Sequence, residues 1–161
     1  MSDPTPTNAE VARALALAMQ HDLADVHLIR LWADSVIESS SVAEPWMIDL
    51  SFCNANDAAF HLRSVPGAVS NNIMQNLLFG LAANAHQKGQ VDAWGLRDIG
   101  WAAYVNDPEA PPDHWGLDLD LAIETHIDGF ATIVDVDTAV AEAVQTITPY
   151  INALPVVLRS G

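Results

Sequence analysis

The sequence predicts an all-α fold, a single-domain irregular bundle of about six to eight helices. Three observations predict it. Apolar residues recur at spacings of three and four through most of the chain, most regularly over 68–88. Short polar residues that cap helix starts, and glycines that end helices, fall between those runs. With 161 residues, half of them apolar and 17% charged, the chain is long enough to bury one core and too apolar for disorder.

Residues 1–6, MSDPTP, read as a flexible leader, and the helical domain runs over 7–161. Thr7 offers a capping oxygen to AEVARALALAMQ, where Val11, Ala14, Leu15 and Ala18 share a face. Asp22 is placed to cap the next helix. There Val26, Ile29, Ala33, Val36 and Ile37 form the apolar face, and Leu28 and Trp32 widen it. The polar stripe His27, Arg30, Asp34, Glu38 is narrow, which predicts burial on most of the circumference and an Arg30–Asp34 couple at i,i+4.

The stretch EPWMIDLSF, 44–52, fits two periods. As a strand, Trp46, Ile48, Leu50 and Phe52 face one way. As a helix, Pro45 is a favourable first residue, and Trp46, Leu50 and Cys53 share a face. Helix is preferred, because no partner strand lies close in sequence. NANDAAFHLRSV follows as a helix capped by Asn54 or Asn56, and VPG at 65–67 breaks the chain.

The run over 68–88 places Val69, Ile73, Leu77, Leu81 and Ala85 on one line, with Gly89 as the stop. A helix over 91–105 carries Gly95 and Gly100, which close helix packing would explain. NDPEAPPD, 106–113, is a proline-rich acidic loop. Segment 117–128 alternates like a strand, yet Leu119, Ala122, Ile123, Ile127 and Phe130 also form a helical face; TIVDV, 132–136, reads as a strand-prone connector. Asp137 caps a last helix that ends at Pro149. The alternative architecture is α+β, with a small sheet from 46–52, 117–127 and 130–136.

LWADSVIE followed by acid-Pro-Trp-x-Ile-x-Leu-Ser at 44–51 resembles a group of small, mostly helical bacterial proteins of uncharacterised function, over residues 30–52. The chain departs from that group in being richer in alanine and in carrying one proline where the group has two. The resemblance implies a helical fold and a packing role for Trp46, and no activity.

Charge narrows the function. Twenty-one acids against six bases give −15, and the only lysine is Lys88. Such a surface repels phosphate backbones and anionic membranes, so neither nucleic acid nor membrane is an expected partner. A basic protein partner, such as a nuclease or cationic toxin met by an immunity-type inhibitor, is the reading that uses the charge. Cys53 is the single cysteine, which rules out an internal disulfide. The polar, acidic N-terminus and the absence of long apolar runs lead to an expectation of a cytoplasmic protein.

Catalytic chemistry finds little purchase. The acid–imidazole group Asp118, Asp120, Glu124, His126 and Asp128 is the compact candidate for a metal, but on a helix His126 leaves the acidic stripe, and the group reads as a solvated face. No phosphate-binding glycine motif or nucleophile elbow occurs, and no cofactor is expected. No residue is assigned a catalytic role. The binding candidates are Trp46 with Asp49, and Trp115 with His114 beside the proline loop. Asp49 is expected to pair with Arg30 or Arg63 inside the core; its alternative is the floor of a pocket walled by Trp46. The second functional reading is a small-molecule-binding domain, or an unrecognised enzyme, with a cleft near Trp46 or Trp115.

Overall fold

The computed structural model describes residues 4–106 and 115–159, without the side chain of Trp115. Among these residues there are nine helices and no strand. They are α1 (Asn8–Gln20), α2 (Val26–Ser39), α3 (Pro45–Ser51), α4 (Ala58–Arg63), α5 (Asn71–Gln87), α6 (Ala93–Val105), α7 (Trp115–Ile127), α8 (Ile133–Ala153) and α9 (Val156–Arg159). The all-α architecture stands. The ambiguous segments 46–52 and 117–127 are helical, and no sheet forms among the described residues.

Helix α5 is the hub. Every residue from Gln75 to Ala83 is buried, as expected of a helix apolar on all sides. It packs against α1, α6, α8 and α9, while α6, α7 and α8 pack on one another and α2 gathers α3 and α9. Ser70 caps it, its hydroxyl accepting the Ile73 N–H.

Three connections share one design. Two residues past the ends of α1, α5 and α7 stand Asp22, Gly89 and Gly129, each in the left-handed region at φ 57°, 75° and 83°. The residue after each donates its N–H back to the last turn: Leu23 to the Ala18 carbonyl, Gln90 to Ala85 and Phe130 to Thr125. Three residues beyond each left-handed position stands the next N-cap: Asp25, Asp92 and Thr132. The imidazoles of His86 and His126 occupy matching places and bond the carbonyls of Val91 and Ala131 at 2.6 and 2.8 Å. The α5–α6 and α7–α8 connections share the spacing His-x-x-Gly, at 86–89 and 126–129.

It also corrects two expected caps. Asp22 takes the left-handed turn position, which aspartate tolerates better than most residues, and Asp25 caps α2 by accepting from Leu28. Thr132 rather than Asp137 caps α8, in a reciprocal box with Asp135. TIVDV is therefore the first turn of a helix. That helix also passes Pro149 and ends at Ala153. Proline removes only the bond to Gln145, whose exposed side of the helix faces solvent.

Helix α2 is less enclosed than its narrow polar stripe predicts: Ile29, Trp32, Ala33 and Val36 are buried, and Leu31 is exposed. Arg30 and Asp34 do not pair. Arg30 donates from Nε and Nη2 to the Cys53 carbonyl, and Asp34 accepts from the Ser51 hydroxyl. Both contacts fasten α3 to α2. Near α4, Asn54 and Asp57 cap each other's backbone N–H across one turn, and Asp57 is the N-cap residue. Gly95 is explained by its own helix start, since a Cβ there would lie 2.8 Å from Val91 Cγ1.

Candidate functional site

Helix α3 decides the place of the first pair of binding candidates. Pro45 starts it, and its seven residues turn Met47 and Leu50 into the core. Ile48 and Phe52 then point outward, 45% and 82% exposed. EPWMIDLSF lines the core on one side only. Trp46 is half-buried, its ring 6.3 Å from the fully buried Trp32, and its Nε1 donates to Glu44. It packs, as the resemblance implies.

Asp49 is exposed, with no ion pair among the described residues. The expected brace to Arg30 or Arg63 is thus corrected. A seven-residue helix that buries Met47 and Leu50 holds position 49 well off the buried face, where water solvates the carboxylate. Arg30 is occupied by the Cys53 carbonyl, and Arg63 is exposed. Trp115 opens α7, but its side chain, and His114 entirely, lie outside the described residues.

The acidic group on α7 is organised by a residue the sequence analysis did not single out. Arg97 on α6 reaches Glu124 at 3.0 Å, Asp120 at 3.8 Å and its neighbour Asp98 at 3.0 Å. His126 turns to the Ala131 carbonyl, and Trp94 sits edge-on against its ring at 6.2 Å. Arg97 therefore holds the carboxylates that a cation would need, and no group of three metal-binding side chains occurs among the described residues.

Clefts mark the surface of the described residues. One of about 470 Å³ lies between the α1–α2 corner, the end of α5 and α9, with an apolar floor that includes Leu28, Leu81 and Leu158. Lys88 and Asn84 at its edge both donate to the Arg159 carbonyl, at 3.1 and 3.2 Å. A second, of about 370 Å³, lies beside the start of α6. A third, of about 510 Å³, runs between the last turn of α5 and the middle of α8. None of the three is lined by Trp46.

Among the described residues, the α7–α8 corner gathers the most exposed large apolar side chains. Ile127, Phe130, Ile133 and Val134 lie within eight residues and are 56%, 86%, 47% and 65% exposed. Asp128, Asp135 and Asp137 stand among them. A readable signal surrounds this corner: eleven acids and no lysine or arginine occur over residues 98–158. No family model, curated protein or solved structure matches the chain. Among the described residues, no helix is long and apolar enough to cross a membrane.

Proposed function

We propose that the protein is a non-catalytic interaction protein that presents the α7–α8 corner to a basic protein partner, in the manner of an immunity-type inhibitor. The supporting observation is the exposed set Ile127, Phe130, Ile133 and Val134 inside a stretch of chain without a single cationic side chain. Large apolar anchors ringed by charge are what a desolvated hot spot needs. The acidic field speeds encounter with a cationic face and rejects anionic competitors.

The test is co-expression with the basic proteins encoded beside it, followed by size-exclusion chromatography at low and high salt. A salt-sensitive complex that Phe130→Ala weakens, and that Asp128→Lys with Asp137→Lys abolishes, is expected. Failure of every basic neighbour to form a complex, or a complex indifferent to these changes, overturns the reading.

A second reading, small-molecule binding, draws on the α1–α2/α5/α9 cleft rather than on Trp46. Its volume lies in the range of ligand sites, and its apolar floor meets a few polar groups. A thermal-shift screen of metabolites tests it; no hit that Leu28→Arg removes would end it.

A further inference from the structure

We infer that α9 is a detachable strap: it leaves its seat between α2 and α5 as a unit while the bundle of α5 to α8 stays folded, and its departure opens the roughly 470 Å³ cleft beside it into a longer apolar groove. A hinge, a weak seat and a shared wall build this device.

The hinge lies after Leu154. The hydrogen-bond ladder of α8 closes there, with the Leu154 N–H donating toward the carbonyls of Tyr150 and Ile151. Leu154 is extended, at φ −61° and ψ 139°, as a residue before proline should be, and Pro155 has no N–H to offer. The Leu154 side chain is buried against α5, where a Cβ on Gly80 would stand 3.6 Å from its Cδ1. Helix α8 is thus anchored as far as Leu154, and α9 turns about the next bonds without breaking one of α8.

The seat holds α9 by little. Leu158 is its buried side chain, Val157 is half-buried and Val156 is exposed. Its carbonyl end is tied by Asn84 and Lys88, which both donate to the Arg159 carbonyl, at 3.2 and 3.1 Å. Lys88 is exposed, so water competes for its bond. Arg159 works against the seat: its Nε is buried with no hydrogen-bond partner among the described residues, a cost that water removes once α9 lifts. Few buried contacts place an element at the low end of local stability. Helix α8, by contrast, buries Val136, Val140, Ala143 and Ile147.

The wall is shared with the cleft. Leu158 lines it beside Leu28 and Leu31 of α2 and Leu81 of α5, and α9 packs on both of those helices. Lifting α9 therefore joins the space under Leu158 to the cleft and releases Asn84 and Lys88 from the Arg159 carbonyl at its edge.

Thiol labelling under native conditions tests this. In a Cys53→Ala background, Leu158→Cys reports the seat and Ile147→Cys, fully buried on α8, reports the bundle. Iodoacetamide labelling is followed by mass spectrometry at increasing urea below the unfolding transition. Leu158→Cys is expected to label at least about tenfold faster than Ile147→Cys. Its rate should be nearly flat in urea, because little surface is uncovered, whereas that of Ile147→Cys climbs steeply. Labelled Leu158→Cys should keep its helical circular dichroism and brighten the neutral dye Nile red more than the unlabelled variant does. Equal urea slopes, loss of helix on labelling, or an unchanged dye signal overturns the inference. Because Leu158→Cys itself loosens the seat, amide exchange is also read in the parent protein. The Leu158 N–H, bonded to the Pro155 carbonyl, should exchange with little urea dependence, and the Leu154 N–H with that of the bundle. A common slope for these two amides sinks the strap as well.

Discussion

Glu10 is the side chain whose loss the fold should feel most for its size. It is 3% exposed, yet it is a carboxylate. One oxygen accepts the Thr7 N–H at 2.8 Å, closing the capping box of α1. The other accepts the Ser70 N–H at 2.8 Å, sixty residues away, at the cap of α5. Thr7 adds a hydroxyl bond to the Ala68 carbonyl at 2.7 Å. One buried acid thus ties together the starts of two packed helices. Glu10→Ala strands two part-buried donors. Hydrogen bonds to a charged acceptor are worth about 1.5–3 kcal/mol each, and releasing a desolvated charge offsets part of the loss. A net cost of about 3 kcal/mol follows, a large share of a domain's usual margin of about 5–15. For a chain of this length that lowers Tm by about 6–12 °C. Urea unfolding followed by circular dichroism measures the cost, and hydrogen exchange locates it at the Thr7 and Ser70 amides. Glu10→Gln, which keeps one acceptor, should fall between Ala and the parent. A Glu10→Ala cost within about 0.5 kcal/mol, the scatter of ordinary surface changes, would refute the reasoning.

Other sites carry further expectations. Gly95→Ala should not give the gain of about 1 kcal/mol usual within a helix, because its Cβ meets the stiff Val91 side chain. Adding Val91→Ala should recover that gain as a favourable coupling in a double-mutant cycle. Arg97→Gln leaves Asp98, Asp120 and Glu124 facing one another and should cost about 1 kcal/mol at low salt and less at high salt, since the pairs are partly exposed. The Thr132 N–H and hydroxyl hold the Asp135 carboxyl below the usual range. A depressed folded-state pKa contributes stability above the unfolded value of about 3.9 and loses it as pH falls through the folded one. NMR titration should show Thr132→Val moving Asp135 back up. Burial first, then the nearby Asp57 charge, pushes the Cys53 thiol up, so thiol reagents at neutral pH should react far faster after unfolding than before.

Much of the architecture was legible because it rests on periodicity and punctuation. The burial of α5 follows from its apolar run, and Gly89 stops it as a flexible C-terminal residue should. Errors gather where two short polar residues compete for one role. Asp22 and Asp25 are both good caps; what separates them is that only one fits a left-handed turn after α1. At 132–136 the β-branched run masked a capping box whose third residue is aspartate rather than glutamate or glutamine. Thr7 and Glu10 stood at capping-box spacing and were open to reading; the reach to Ser70 was not, since nothing local reports a contact across sixty residues. Asp49 was misplaced because apolar neighbours on both sides suggested enclosure, whereas a single short helix buries only one of its sides.

The candidate surface was hidden by treating the charge as one total. Many carboxylates have structural work. Glu10, Asp25, Asp57, Asp92 and Asp135 cap backbone, and Asp98, Asp120 and Glu124 surround Arg97. The carboxylates of Asp128, Asp137 and Glu142 have no hydrogen bond or ion pair among the described residues, and all three residues are exposed on the corner and on α8. Uncompensated like charge works against the compact state, and solubility alone is served as well by mixed signs. Carboxylates without an internal role, set beside Phe130 and Val134 that also lack one, share a use only if something cationic and apolar meets both. If Asp128, Asp137 and Glu142 are replaced together by asparagine and glutamine, the fold should become no less stable while capture of a basic partner declines. A loss of stability would instead assign those charges to the fold.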